Sequence, residues 1–193
     1  MIKIAFDIDD TITNSSKIIR KYILKYSNKY KDGELLTENL DIILRGFFNY
    51  DCVNEFFSDY SLEMSSLCEL RKNAKKIINK LHDEGYEIYI ITARSDEFYK
   101  DSYKFCKNYL DSKGIKYDKL ITSQLYKIDT CKRENIDIMV DDGVDTCDNL
   151  NKNNIKAFLY TTDLNMDKDT ISSRVNSWNE VYSEIHKIID TIE

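Results

Sequence analysis

Short apolar runs alternate with segments of helical periodicity along most of this 193-residue chain. The runs are rich in β-branched and aromatic side chains and are bounded by polar residues, which is typical of buried strands. They lie at 2–6, 86–91, 119–122, 136–140 and 155–160. Between them, apolar residues recur at helical spacing, as in 70–84, where the pattern stops at Gly85. Strands that alternate with helices predict an α/β fold with a parallel sheet.

The segment 16–65 departs from this alternation. A helical stripe of apolar residues comes first, and an aromatic-rich run follows it. The stripe comprises Ile18, Ile19, Tyr22, Ile23 and Tyr26, and the run comprises Phe47, Phe48, Tyr50, Val53, Phe56, Phe57 and Tyr60. We therefore expect a small helical insert after the first strand, with a core built from 1–15 and 66–193. Any single aromatic side chain is expected to pack inside the insert, while a few of them line the mouth of a site.

The first predicted strand ends abruptly in carboxylates. Asp7, Asp9 and Asp10 follow it closely, and Thr11 comes next. Open parallel sheets bind ligands at the carboxyl ends of their strands, and carboxylates this close repel one another unless a cation lies between them. Mg²⁺ suits such a site because it prefers oxygen ligands and pairs with phosphate. Asp and Thr are also good helix N-caps, so this segment alone leaves a capping role equally open.

Polar groups also follow two later strands, and a lysine starts a helical run between them. They are Thr92, Ala93 and Arg94 after the second strand, Lys127 before the helical run 128–134, and Asp141 and Asp142 after the fourth strand. Together with the Asp7 segment, they resemble the four motifs of the haloacid dehalogenase-like phosphohydrolase superfamily: Asp-x-Asp-x-Thr, a Thr or Ser, a Lys and an acidic pair. The resemblance implies a Rossmann-like parallel sheet in the order 3-2-1-4-5, flanked by helices, with the insert as a helical cap.

The same resemblance implies a phosphatase that works through an aspartyl-phosphate intermediate. Asp7 would attack phosphorus, and Asp9 would protonate the leaving alkoxide and then activate water. Thr92 and Lys127 would bind the phosphoryl oxygens. Lys132 is a rival to Lys127, but Lys127 is preferred because it starts a helix near the sheet's carboxyl edge.

The implied cofactor is Mg²⁺, held by Asp7, the backbone carbonyl of Asp9, and the acidic pair. Asp142 is preferred as the main ligand from that pair, with Asp141 and Asp145 in support, although the sequence leaves the choice between Asp141 and Asp142 open. Asp10 stands where many relatives have glycine, and we expect it to cap the following turn.

Within the superfamily, the chain is most similar to the 5′(3′)-deoxyribonucleotidase and bacterial nucleotidase branch. This similarity implies a nucleoside monophosphate substrate. The residues expected to contact it are Thr92, Ala93, Arg94, Lys127, Phe48 and Phe57. Arg94 is as readily interpreted as an exposed residue at a helix start. A phosphatase for sugar phosphates or other metabolites would share the same motifs. A non-catalytic binding module of this fold is disfavoured, because no motif residue is lost.

Composition narrows the partners and the compartment. The net charge is −6, from 28 basic and 34 acidic residues, without a basic stripe, so duplex nucleic acid is not an expected partner. No apolar run approaches the roughly 18 residues of a membrane span, and no signal peptide is expected. Five scattered cysteines without a C-x-x-C pair predict reduced thiols in the cytoplasm. A small phosphorylated metabolite is the expected partner, and the oligomeric state, with a homodimer as one option, stays open.

Overall fold

A computed structural model of the protein describes residues 1–30 and 50–192, with side chains described for 1–25 and 55–190. Six parallel strands form one sheet in the order β3-β2-β1-β4-β5-β6. The strands are β1 (Lys3–Phe6), β2 (Glu87–Ile91), β3 (Lys119–Ile121), β4 (Ile138–Asp141), β5 (Lys156–Tyr160) and β6 (Ser173–Val175). β1 is therefore central, and β2 and β4 are its neighbours, so the carboxyl ends of these three strands meet at one edge.

Helices connect the strands and cover both faces of the sheet. They are α1 (Ser15–Tyr30), α2 (Tyr50–Leu67), α3 (Ala74–Asp83), α4 (Ser102–Lys113), α5 (Ile128–Glu134), α6 (Val144–Lys152) and α7 (Trp178–Ile192). Across the described part of the chain, no helix combines the length and apolarity needed to cross a bilayer.

The five predicted strands and their order are confirmed, and the structure adds a sixth. The Ser-Arg-Val sequence of β6 contains only one apolar residue, so it has neither the apolar run nor the alternation by which a strand is recognised. It is a three-residue edge strand that pairs with β5 through Leu159 and its neighbours. Backbone pairing, and not side-chain pattern, therefore makes this segment a strand.

Alternation along β1 divides the hydrophobic core into two layers. Ile4 and Phe6 face one layer with α3 and α7, whereas Ala5 faces the other with Met139 of β4 and Leu150 of α6. All five side chains are fully buried. Burial on both faces explains why the predicted strands are nearly continuous apolar runs.

The insert between β1 and β2 consists of α1 and α2 in the described residues. The chain leaves and re-enters the core through two adjacent segments: Asn14 N–H donates to the carbonyl of Glu69 (3.0 Å), and Arg71 N–H donates to the carbonyl of Ile12 (2.8 Å). The helices begin and end close to the expected limits of 16–65, and treating this unit as a separate cap domain stays a prediction. Phe47 and Phe48 lie outside the described residues.

Trp178 joins the C-terminal helix to the sheet and to the loop after β1. Its ring is fully buried, 5.2 Å from the ring of Phe6, and its indole N–H donates to the carbonyl of Thr11 (3.2 Å). Trp178 therefore packs the C-terminal helix onto the sheet. The same side chain also satisfies a backbone group of the acidic loop.

Replacing Trp178 by alanine should lower the free energy of unfolding by about 3–5 kcal/mol, because a large buried ring leaves a cavity. Thermal or urea unfolding measures this loss. Tyr126 is the matched control, because its ring is 80% exposed, and Tyr126→Ala should change stability by no more than about 0.5 kcal/mol. Similar losses in the two variants would contradict the anchoring role of Trp178.

Candidate active site

The loop after β1 turns over Ile8–Ile12, where the Thr13 N–H donates to the Ile8 carbonyl (2.9 Å), and it presents its acids in different directions. Asp7 and Asp9 are extended, but Asp10 has φ +54°, in the left-handed region that Asp tolerates better than most residues. Glycine adopts this conformation most readily, because it has no Cβ. The Asp10 carboxylate accepts the N–H of Ser16 (3.0 Å), and its own N–H donates to Ser15 Oγ (3.0 Å), so Asp10 caps the start of α1 as expected.

Arg71, which the sequence analysis missed, binds Asp10 from the far end of the insert. Its Nε donates to the Asp10 carbonyl (2.8 Å), and its Nη2 lies 3.4 Å from the Asp10 carboxylate. The guanidinium also stacks on the ring of Tyr160, 4.9 Å from its centroid. Arg71 therefore balances the Asp10 charge at the junction between insert and core.

Lys127 lies between two buried carboxylates. It precedes α5, is 5% exposed, and its Nζ donates to Asp7 Oδ1 (2.5 Å) and Asp141 Oδ2 (2.6 Å). The other oxygen of Asp141 accepts the N–H of Gly143 (2.7 Å). Lys132 lies at the surface, where it donates to Asn153. The structure thus brings Lys127, and not its rival, to the acidic cluster.

Burial and shared negative charge control the pKa values of this cluster. Burial raises the pKa of Asp7 to about 7; Lys127 opposes the rise, and the charges of Asp141 and Asp9 add to it. Burial lowers the pKa of Lys127, but the two carboxylates outweigh this and raise it, so Lys127 stays charged. One ammonium is therefore shared by two carboxylates and cannot neutralise both.

Asp142 lies beside this pair without an ammonium or guanidinium of its own in the described residues. Its Oδ1 accepts the hydroxyl of Thr11 (3.2 Å), and burial, with the charges of Asp141 and Asp7, raises its pKa well above the usual range. Its backbone carbonyl accepts the side-chain N–H of Asn165 (2.9 Å), a 3% exposed residue in the loop before β6 that also donates to the Tyr160 carbonyl. Asn165 thereby fixes the turn that carries Asp142.

These residues fit a divalent cation. Five carboxylates gather here with three cations: Asp7, Asp9, Asp10, Asp141 and Asp142 with Lys127, Arg94 and Arg71. The two positive charges of one Mg²⁺ would balance the two unmatched negative charges. Within residues 1–30 and 50–192, no three His, Cys, Asp or Glu side chains are arranged to form a metal site alone. The expected set uses fewer side chains, since it includes a backbone carbonyl and Mg²⁺ keeps several waters.

The residues after β2 take three different positions. Thr92 is fully buried, and its Oγ1 accepts the N–H of Arg94 (3.3 Å); Ala93 is exposed. Arg94 is 4% exposed, which excludes the interpretation of an exposed helix-start residue. Its Nε and Nη2 donate to the two oxygens of Asp9 (2.9 and 2.8 Å). The structure thus places Arg94 on Asp9.

This ion pair decides the ionisation of Asp9. Burial raises the pKa of its carboxyl, but the charge and hydrogen bonds of Arg94 outweigh burial and hold the pKa below its usual range. The pKa values of Asp7 and Asp9 are therefore shifted in opposite directions, although the two residues are only two positions apart. In the metal-free protein, Asp9 is therefore the stronger acid of the two.

A cavity of about 80 Å³ lies between the insert and Asp9. Its lining comprises Asp9, Ser15, Ile19, Phe57, Ser61, Met64, Ser65, Cys68 and Tyr99. Pockets that hold small-molecule ligands are usually about 300–1,000 Å³, so the insert lies close against the site. Phe57, which the sequence predicts as a substrate contact, lines this cavity. Its ring centroid lies 6.0 Å from that of Phe98. Its neighbour Phe56 is fully buried.

The described cysteines and histidines include two thiols next to the site: Cys68 lines the cavity beside Asp9, and Cys147 contacts the Asp141 backbone. Cys68, Cys106, Cys131 and Cys147 are buried and free. Cys147, the nearest to the acidic pair in sequence, donates to the backbone carbonyl of Asp141 (3.4 Å), and burial raises its pKa well above its usual range. His82 Nε2 lies 3.5 Å from a carboxylate oxygen of Asp118, and His186 Nε2 lies 3.3 Å from one of Glu84. None of these side chains is suited to nucleophilic attack.

Comparison with known proteins gives one family and one fold. The model of the family described as 5′ nucleotidase, deoxy (pyrimidine), cytosolic type C protein (NT5C) matches residues 1–189. A Clostridium acetobutylicum protein named a nucleotidase is 28% identical over all of this chain and 97% of its own length.

Two solved structures share the fold. One is a predicted phosphatase from Clostridium acetobutylicum, and the other is a haloacid dehalogenase-like hydrolase from Streptococcus pneumoniae. Each has a TM-score of 0.68 and 17% identity, with 96% of this chain and 98% of the other covered. The family match spans nearly the whole chain, so the protein belongs to the NT5C family of haloacid dehalogenase-like phosphatases.

Proposed function

We propose that the protein is a Mg²⁺-dependent phosphomonoesterase that hydrolyses a nucleoside monophosphate through a phosphorylated Asp7. The observation that carries this proposal is the position of Asp7 at the end of the central strand, with Lys127 on one of its oxygens. Lys127 binds Oδ1, and Oδ2 has no hydrogen bond to the described residues. One oxygen is therefore held in place, and the other is available to attack phosphorus.

In the first step, Asp7 Oδ2 forms a bond to phosphorus as the bond from phosphorus to the ester oxygen breaks. Asp9, which Arg94 keeps ionised in the resting site, first takes up a proton from solvent and transfers it to that oxygen, which leaves as an alcohol. Lys127 and the Thr92 hydroxyl donate to the phosphoryl oxygens. In the second step, the Asp9 carboxylate takes a proton from water, whose oxygen attacks phosphorus. The bond from phosphorus to Asp7 then breaks, inorganic phosphate leaves, and Asp9 is protonated again.

Asp7, the Asp9 carbonyl and Asp142 would hold Mg²⁺, with Asp141 fixed between Lys127 and the Gly143 N–H. When bound, the ion neutralises the charge between the carboxylates and the phosphate. Residues 16–65 would act as a cap that excludes water from this site and contacts the nucleoside.

A panel of phosphorylated metabolites assayed with Mg²⁺ tests the substrate class. Nucleoside monophosphates should be hydrolysed with the highest kcat/KM. A preference for sugar phosphates would replace the substrate assignment and leave the chemistry intact. Absence of turnover with every ester would overturn the proposal.

Asp7→Asn should abolish turnover, because an amide cannot form the phosphorylated intermediate. The fold should persist, because Lys127 keeps its ion pair with Asp141, and thermal unfolding should change only slightly. The matched control is Asp10→Asn in the same loop, because asparagine accepts the left-handed conformation at Asp10. This control should stay active. Substantial turnover by pure Asp7→Asn protein would remove Asp7 from the nucleophile's role.

Mg²⁺ should raise the melting temperature more at about pH 8 than at about pH 5.5. The folded protein holds a proton on Asp7 up to about pH 7, against an ordinary value of 3.8. Between pH 3.8 and about pH 7, the folded state therefore binds more protons than the unfolded state. The stability of the metal-free protein consequently falls as the pH rises through this interval. Mg²⁺ must displace that proton, so its binding strengthens over the same interval.

Thermal unfolding with Mg²⁺ or EDTA at both pH values measures this effect, and EDTA should also stop turnover. Asp142→Ala should weaken Mg²⁺ binding by at least about tenfold, since loss of even a supporting residue has that effect. Asp145→Ala, an exposed residue in the first turn of α6, is the matched control and should leave the affinity within about threefold. Full activity after exhaustive chelation would refute the metal site.

Phe57→Ala should lower kcat/KM for nucleoside monophosphates roughly ten- to a hundredfold, because stacking of a base on an aromatic ring contributes about 1–3 kcal/mol. Hydrolysis of p-nitrophenyl phosphate should change far less. Phe56→Ala is the matched control, because its buried ring serves packing and its loss should affect both substrates alike. Equal losses in Phe57→Ala would mean that this ring also serves packing only.

A further inference from the structure

Arg94 has one ionic partner among the described residues, and that partner is Asp9. The guanidinium donates through Nε and Nη2 to the two oxygens of the carboxylate, and only 2% of the Arg94 side chain is exposed. Its third nitrogen, Nη1, is buried without a hydrogen-bond partner in the described part of the chain. Every N–H group that Arg94 uses in an ion pair with a described residue therefore donates to the Asp9 carboxylate.

Aromatic rings enclose the rest of the guanidinium. Its central carbon lies 5.7, 5.9 and 5.8 Å from the ring centroids of Tyr99, Phe105 and Tyr109. The Tyr99 hydroxyl is hydrogen-bonded to Ser65 Oγ (2.7 Å), and the Tyr109 hydroxyl donates to a backbone carbonyl at the end of the insert (2.8 Å). Hydrogen bonds anchor two of the three rings, and cation–π attraction stabilises the guanidinium between them.

Asp9, in contrast, keeps an open side. Its side chain is 42% exposed, and it lines the cavity beneath the insert. A carboxylate has about four lone-pair positions, and the Arg94 fork uses one on each oxygen. The Ser15 hydroxyl also lies beside this carboxylate, and the positions that remain face the cavity, where one can carry a proton towards a bound ester.

We propose that Arg94 is a positioning residue for the proton transfers of Asp9. It acts through Asp9 and does not touch the substrate. This inference rests on the proposed function, in which Asp9 protonates the leaving oxygen. Rotation of Asp9 away from Arg94 would leave a buried charge unpaired, which is strongly unfavourable, so the fork restricts Asp9 to one orientation. A lysine cannot reproduce this, since it is a point charge without the planar fork.

Arg94→Lys tests the proposal through the leaving group. A nucleoside alkoxide needs a proton as it departs, whereas p-nitrophenolate does not, and kcat/KM reports only the steps up to that departure. We expect kcat/KM for a nucleoside monophosphate to fall by about a hundredfold, as for a misplaced catalytic group, and kcat/KM for p-nitrophenyl phosphate to fall less than about threefold. Arg94→Gln, which removes the charge and keeps a donor, provides a second variant if the lysine variant unfolds.

Asp9→Asn supplies the double-mutant cycle that a purely structural role would not satisfy. In that background, Arg94→Lys should cause no further selective loss, because its target is gone. Arg71→Lys is the matched control, since Arg71 pairs with Asp10 in the same loop, and any loss there should be equal for both substrates. Equal losses on both esters in Arg94→Lys, or the same selective loss with and without Asp9, would overturn the inference. Failure of the parent enzyme on both esters would instead overturn the proposed function.

Discussion

An excess of negative charge at the carboxyl ends of β1 and β4 is the constraint on which the site depends. Five carboxylates meet there, and the described residues supply three cations. Lys127 is shared by Asp7 and Asp141. Among the described residues, the Asp142 carboxylate accepts the Thr11 hydroxyl, and the Asp142 backbone carbonyl accepts the side-chain N–H of Asn165. Such an arrangement is unfavourable for an isolated chain, because like charges raise one another's pKa values in a buried environment. A divalent cation bound there would make it favourable and would couple the stability of the site to its chemistry.

The fold holds these charges in place from several distant segments. Trp178 fixes the Thr11 carbonyl from the C-terminal helix, and Asn165 fixes the Asp142 carbonyl from the loop before β6. Arg71 fixes Asp10 from the end of the insert. Each contact satisfies a buried backbone group, so each would leave an unpaired acceptor if it were lost. The repulsion between the acids is therefore resisted by hydrogen bonds that come from the rest of the chain.

Sequence reasoning succeeded where one local pattern decides the outcome. Apolar runs identified the first five strands of the chain, and the position of Lys127 at a helix start distinguished it from Lys132. It failed where a contact depends on residues far apart. Nothing around Arg94 in the sequence indicates that three rings from the following segment enclose it, and β6 lacks an apolar run. Asn165 could have been suspected only as an asparagine in a loop, since its partner lies 23 residues away.

The acids of the loop after β1 show how identical side chains acquire different chemistry. Burial raises the pKa of Asp7 to about 7, whereas Arg94 holds that of Asp9 below its usual range. Asp10 is also buried, yet it accepts hydrogen bonds at the start of α1 and serves the backbone. The difference comes from the partner that each acid receives: a shared ammonium, a private guanidinium or a helix N-terminus. The chemistry is therefore encoded less in the Asp-x-Asp spacing than in Lys127, Arg94 and Arg71, which lie at least 60 residues away from it.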